Sequence, residues 1–301
     1  VKILIADDED GTRLKLETLL AKLGYDVLVA RDGAEAWELL QREDAPSLAL
    51  LDWLMPGMDG VEVCRRVRQS SKVPYVYIVM LTVKGQKQDL VAGMEAGADD
   101  YLSKPFDVDE LRVRLSAGER ILSLQEDLRL QATHDDLTGV LNRGTVLDIL
   151  HRELALVARK SVPVAIILAD LDDFKQVNDQ HGHAIGDTVL REAARRLATP
   201  MRPYDAIGRY GGEEFLIVLP GCGIESALVV AERIRCSVGK KPITTSAGDV
   251  PMTVSLGVAA VESAPPRGAD ELIQSADDAL YRAKRGGRNR VEQSSNPDAP
   301  S

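Results

Sequence analysis

Asp170 ends the apolar run AIILAD, while Glu213 and Glu214 follow Gly211 and Gly212 directly before FLIVL. If those runs are adjacent strands, Asp170 faces Glu213. Two carboxylates at that separation make a hard-oxygen site for Mg²⁺, a cation that bridges the oxygens of a nucleoside triphosphate. The glycines suit a tight turn or a close approach of backbone to ligand. Taken alone, such a pair is also common on protein surfaces. A second set of polar residues falls at strand ends. Asp7 and Asp8 follow VKILIA, Asp52 ends LALLD, Thr82 follows VYIVML and Lys104 follows DDYLS. Each one singly is an ordinary strand-end residue. Together on one edge, the carboxylates repel unless a divalent cation neutralises them, and Mg²⁺ prefers such ligands.

The elements that must position these groups are legible as periodicity. Residues 1–118 alternate short Val/Ile/Leu-rich runs with helical patterns such as TRLKLETLLAKLG, AEAWELLQ, GVEVCRRVRQ and QKQDLVAGMEAG. Five buried strands with interleaved helices predict a doubly wound parallel α/β sheet, whose ligands gather at the carboxyl ends of the strands. Residues 119–134 read as a helical linker continuing the last helix of this domain. Its apolar positions Leu111, Leu115, Ile121, Leu124 and Leu128 suggest a stripe that pairs with its copy in a homodimer, with Gly118 weakening the middle. Residues 135–292 alternate strands and helices unevenly, which predicts a mixed sheet packed against helices, and 293–301 has the composition of a disordered tail.

Composition narrows the function classes. A formal net charge of -10 disfavours a nucleic-acid binder, and no recognition helix or basic stripe follows residue 118, so DNA is not expected as a partner. The three cysteines are scattered and fit neither a disulfide framework nor a metal cluster. No apolar run approaches a membrane span, and the opening VKILIADD reads as a strand and not as a secretory leader. A cytoplasmic location is the expectation.

The first constellation resembles the receiver domain of two-component response regulators. The resemblance implies that Asp52 accepts a phosphoryl group from a sensor histidine kinase and that Asp7 and Asp8, with Asp52, place Mg²⁺. It further implies that Thr82 and Lys104 contact the phosphoryl oxygens, with Lys104 joined to Pro105 by a cis bond. The second domain resembles diguanylate cyclases of the GGDEF family on four motifs in order: HDDLTGVLNR, DLDDFKQVNDQHGHAIGD, RYGGEEF and ALYRAKRGGRNRV. Such enzymes condense two GTP into cyclic di-GMP and two pyrophosphates between two catalytic domains. The resemblance assigns Asp170, Glu213 and the carbonyl of Leu171 to Mg²⁺, with Mn²⁺ able to substitute. Glu214 is to bind metal or assist deprotonation of the attacking 3′-hydroxyl. Gly211 and Gly212 are to pass the triphosphate, Asn178 and Asp187 to read guanine, and Phe174, Lys175, Lys284 and Arg288 to lie near the phosphates. The turn Arg202-Pro203-Tyr204-Asp205 stands at the offset of the family's RxxD product-inhibition motif, with Arg233 as a second contact from a neighbouring domain. Two rival readings remain at this point: a related domain that binds GTP or cyclic di-GMP without turnover, and a cyclase making a mixed purine dinucleotide.

Overall fold

The computed structural model describes residues 1–70, 73–83, 94–160, 162–261 and 268–294. The chain divides into two compact units, Val1–Leu128 and Arg129–Ser301.

In the first unit, strands β1 (Lys2–Ala6), β2 (Asp26–Ala30), β3 (Leu48–Asp52), β4 (Tyr77–Val83) and β5 (Asp100–Lys104) form one sheet in the order β2-β1-β3-β4-β5. Every pairing is parallel. Strand alternation divides the apolar residues between two cores. Ile3, Ile5, Leu48 and Leu50 pack with Leu16 and Leu20 of helix α1 (Asp10–Lys22), whereas Leu4, Ala6, Ala49 and Leu51 pack against α2 (Gly33–Leu40) and α3 (Gly60–Gln69). Asp32 and Asp59 cap α2 and α3 by accepting from the N–H groups of Glu35 and Glu62. The helix expected over QKQDLVAGMEAG lies largely outside the described residues.

Helix α4 runs unbroken from Val108 to Thr133. Gly118 makes room for an aromatic ring, since a Cβ there would stand 2.5 Å from Cδ1 of Tyr77. The apolar stripe expected along this helix is two features. Leu111 and Leu115 are core residues of the first unit, whereas Ile121, Leu124 and Leu128 are exposed. The five-stranded parallel sheet takes the first turns for its own core, so only the later positions are open to a partner.

The second unit is built on a mixed sheet in the order β12-β11-β6-β8-β7. Its strands are β6 (Val164–Leu171), β7 (Ala206–Arg209), β8 (Glu214–Pro220), β11 (Val254–Val261) and β12 (Val291–Gln293). β6 lies centrally, antiparallel to both β11 and β8, and is buried along its whole length. On one face Ala165, Ile167 and Ala169 meet helices α6 (Phe174–His181), α7 (His183–Ala198) and α8 (Ile224–Gly239). On the other, Val164, Ile166 and Leu168 meet α5 (Arg143–Lys160) and α9 (Ala269–Arg285). A separate hairpin, β9 (Ile243–Thr245) with β10 (Gly248–Val250), completes the unit. Gln293, assigned to the tail by composition, ends β12; residues 295–301 of that tail lie outside the described residues.

Candidate active site and phosphoacceptor site

Parallel strands bring the polar ends of the first sheet together. The carboxylates of Asp7, Asp8 and Asp52 offer oxygens all within 4.8 Å of one another. Lys104 Nζ donates to Asp7 Oδ2 at 2.6 Å and to Asp52 Oδ2 at 2.8 Å. Burial pushes the Asp52 carboxyl above its ordinary pKa; Lys104 opposes the shift, and the Asp7 charge adds to it. Burial works against the Lys104 ammonium, but its bonds to Asp52 and Asp7 outweigh that and hold its pKa above the usual lysine value. One lysine thus leaves three acids undercompensated, and their oxygens fit a divalent cation. Thr82 is buried on β4 beside Ser103 of β5, and the Lys104–Pro105 peptide is cis.

In the second unit, β6 carries Asp170 to a sheet edge where β8 begins. The register differs from the expectation by one step: the residue directly opposite Asp170 is Glu214, and Glu213 lies just outside the strand, its carbonyl accepting from the Leu171 N–H at 3.3 Å. Tyr210 N–H closes the turn onto the Glu214 carbonyl at 2.8 Å. Both glutamates still act on Asp170. Burial pushes its carboxyl up to about 6; Lys284 pulls it down, while the charges of Glu213 and Glu214 push it up. Lys284 Nζ bonds Asp170 Oδ2 at 2.7 Å, so this lysine meets the acid itself. A buried acid whose charged form is disfavoured first by burial and then by two neighbouring carboxylates is a donor set that a hard cation would complete.

The two glycines of the turn are not there for left-handed backbone, since neither has a positive φ. A Cβ on Gly211 would come within 2.6 Å of Glu214 Oε2, and one on Gly212 would meet nothing within 4 Å. Among the described residues no protein group excludes a side chain at Gly212, and the space beside it is open. Beside the turn, Phe174 opens α6, whose N-cap residue Asp173 makes no side-chain cap. The first-turn N–H groups and helix dipole are suited to an anion. The Phe174 side chain is buried core, and Lys175 is exposed. Asn178 on α6 lies against Gly186, the residue before Asp187 on α7, where a Cβ would fall 1.9 Å from Asn178 Oδ1. Arg288 ion-pairs with Asp173 at 3.4 Å.

Comparison with known proteins agrees with this geometry. Residues 132–290 match the family model described as diguanylate cyclase, GGDEF domain. The chain belongs to the GGDEF family. Residues 3–116 match the response regulator receiver domain. The chain is 31% identical to the response regulator PleD of Caulobacter vibrioides over 301 residues, covering 96% of this chain and 65% of PleD, so it spans about two thirds of that relative's length. It is 38% identical over 187 residues to the diguanylate cyclase DosC of Escherichia coli, covering 60% of this chain and 40% of that one. A crystal structure of the coiled coil and GGDEF domain of DgcB from Caulobacter crescentus, in complex with c-di-GMP, superposes with a TM-score of 0.55 at 31% identity, covering 62% of this chain and 97% of that one.

In the GGDEF domain the RPYD turn is self-contained. Arg202 N–H donates to Asp205 Oδ2 at 2.8 Å, and the Arg202 guanidinium donates to the Tyr204 hydroxyl at 2.9 Å. Arg233, expected to reach the site from a neighbouring domain, donates to the Pro200 carbonyl at 2.7 Å in its own domain, two residues before the turn. Two functional neighbours escaped sequence reasoning. Arg209 donates to the Gly212 carbonyl through Nε at 3.0 Å and Nη2 at 2.8 Å, and its Nη1 meets both Asp135 oxygens at 3.2 Å. Asp172 is buried. The signal for Arg209 was its place inside the RYGGEEF motif; for Asp172 no local signal exists. No helix among the described residues is long and apolar enough to cross a membrane.

Proposed function

We propose that this chain is a phosphorylation-regulated diguanylate cyclase that joins two GTP into cyclic di-GMP and releases two pyrophosphates. The observation that carries the reading is Asp170, a carboxylate buried at a strand end, pushed up to about 6, with Glu213 and Glu214 beside it and Lys284 upon it. Mg²⁺, or Mn²⁺ in its place, would be held by Asp170, the Leu171 carbonyl and Glu213, and would supply polarisation of the triphosphate. The triphosphate would pass Gly211 and Gly212 and meet the first turn of α6, with Lys175, Lys284 and Arg288 offsetting its charge. The Asp187 carboxylate would accept from guanine N1–H and N2–H, and the Asn178 amide would meet O6 or N3. Each 3′-hydroxyl attacks the α-phosphorus of the other GTP, its proton passing to Glu214, while the bond to pyrophosphate breaks. Two such displacements close the ring, so a second domain must face the first, and the working form is a homodimer.

The same reading extends to regulation. Asp52 would accept a phosphoryl group from a sensor histidine kinase, with Asp7 and Asp8 holding Mg²⁺ and Thr82 and Lys104 contacting the new oxygens. The exposed Ile121, Leu124 and Leu128 supply an apolar face for pairing. Cyclic di-GMP would return to Arg202, Asp205 and Arg233 as an inhibitor, the Arg202 guanidinium exchanging its Tyr204 contact for phosphate or guanine. The test is direct: purified protein with Mg²⁺ and GTP should yield a product of the mass of cyclic di-GMP and two pyrophosphates per product. Unchanged GTP, or a dinucleotide containing adenine when ATP is also present, would reject the reading.

A further inference from the structure

Asp172 stands two residues past Asp170 and has a different job. Its carboxylate accepts from Thr253 Oγ1 at 2.7 Å, from Ser255 Oγ at 2.6 Å and from the backbone N–H of Asn289 at 3.0 Å. Its own N–H donates to the Thr253 carbonyl at 3.0 Å. Three of roughly four lone-pair positions of a carboxylate are thereby engaged inside the fold. The bonds tie the end of β6 to the approach of β11 and to the closing segment Gly286–Arg290, which follows α9.

That closing segment is held in an unusual shape. Among the described residues, the non-glycine residues with positive φ are Asp173 at 54°, Arg288 at 62° and Asn289 at 45°. All three adjoin Asp172, either in sequence or through its bond to Asn289. L-residues rarely adopt this region, arginine less readily than asparagine, and it persists where surroundings over-determine it. Here the grip is double: Asp172 holds the Asn289 N–H, and Arg235 Nη1 donates to Asn289 Oδ1 at 2.8 Å. The result delivers the Arg288 guanidinium to Asp173, at the end of β6. A closing segment released from Asp172 would relax toward ordinary backbone and carry Arg288 away.

We propose that Asp172 is a positioning residue: it locks the closing segment in its left-handed conformation and so sets Arg288 at the mouth of the nucleotide site. The identity of the nucleotide rests on the cyclase reading; the lock itself does not. Asn289 is exposed, yet its amide should exchange at least roughly tenfold more slowly than an unprotected amide, as expected for a hydrogen bond to a charged acceptor. Asp172→Ala should remove that protection while amides of β11 stay protected. It should also raise KM for GTP by about tenfold with kcat changed less than about threefold, as expected when one charged hydrogen bond to the ligand is removed. Adding Arg288→Gln to Asp172→Ala should then change KM by less than about twofold, because Arg288 has already left the site. Fast exchange at Asn289 in the unaltered protein overturns the lock, and this measurement needs no variant. Unchanged exchange in folded Asp172→Ala, or KM effects of the two substitutions that multiply, overturn it as well. Were no cyclic di-GMP made at all, the exchange data would still decide the lock separately from the enzyme assignment.

Discussion

Arg209→Ala removes the clamp between the opening motif and the GGEEF turn. The guanidinium makes two bonds to the Gly212 carbonyl and a forked contact with Asp135, and both side chains of that ion pair are mostly covered, at 20% and 23% exposure. Asp135 keeps its other partners, because it accepts from Thr138 N–H at 2.9 Å and Thr138 Oγ1 at 2.7 Å. Asp135 loses this counter-charge but keeps those two hydrogen bonds, so the loss is chiefly that of the arginine's own bonds. A bond from a charged donor contributes about 1.5–3 kcal/mol, and the ion pair adds up to about 1 kcal/mol, which gives about 1.5–4 kcal/mol for the variant. The functional effect should exceed a simple stability loss, since the freed carbonyl belongs to the turn that carries Glu213 and Glu214. A displacement of the order of 1 Å at reacting groups costs about a hundredfold in rate. Urea unfolding should show the stability change, and pyrophosphate release in Mg²⁺ should show kcat/KM lower by about ten- to a hundredfold. Asp135→Asn, which leaves both Gly212 bonds in place, should lose less than about tenfold. A kcat/KM for Arg209→Ala within about twofold of the unaltered enzyme, in protein shown to be folded, would refute the clamp.

Three other outcomes follow from the geometry. The raised Asp170 carboxyl, about 6, means that a proton competes with the cation; kcat/KM at limiting Mg²⁺ should fall as pH drops through about 6, and the midpoint should move lower at saturating Mg²⁺ and higher in Lys284→Gln, since Lys284 favours the ionised form. A midpoint indifferent to both Mg²⁺ and Lys284 would remove Asp170 from the metal site. Gly186→Ala should push the Asn178 amide from its place and raise KM for GTP by about tenfold or more, read by steady-state kinetics, because the new Cβ would meet Oδ1 at 1.9 Å. A beryllofluoride mimic should raise the cyclisation rate in the unaltered protein and leave Asp52→Ala at its basal rate, with sedimentation run alongside to follow pairing through Ile121, Leu124 and Leu128.

The sequence made the strand-end chemistry legible because sheets turn periodicity directly into position. Asp52, Lys104 and Asp170 could be placed at carboxyl ends by reading where apolar runs stop. The parallel sheet and the mixed sheet were legible for the same reason. Helix α5 is absent from the sequence expectations although Val146, Leu150, Leu154 and Val157 repeat at helical spacing, because it lies between two chemistry-bearing motifs. Other features were beyond local reading. Asp172 meets partners 81, 83 and 117 residues away, and Lys284 reaches Asp170 across 114, distances at which only the folded chain relates one residue to another. The helix stripe misled because periodicity reports which positions are apolar and not what covers them: Leu111 and Leu115 serve the receiver core. Glu214 and not Glu213 stands directly opposite Asp170, a one-residue step in the pairing of β6 with β8 that the apolar pattern of the two runs does not fix.

The central claim is that Asp170 and Glu213 together hold the cation on which cyclisation depends. Its most direct measurement is pyrophosphate release from GTP in Mg²⁺ by Asp170→Ala and Glu213→Ala, in parallel with phosphoryl uptake by Asp52. Cyclic di-GMP formation should fall by hundreds-fold or more in both variants, with the receiver still accepting the phosphoryl group. A folded variant of either residue that keeps more than about a tenth of the original rate would contradict the claim.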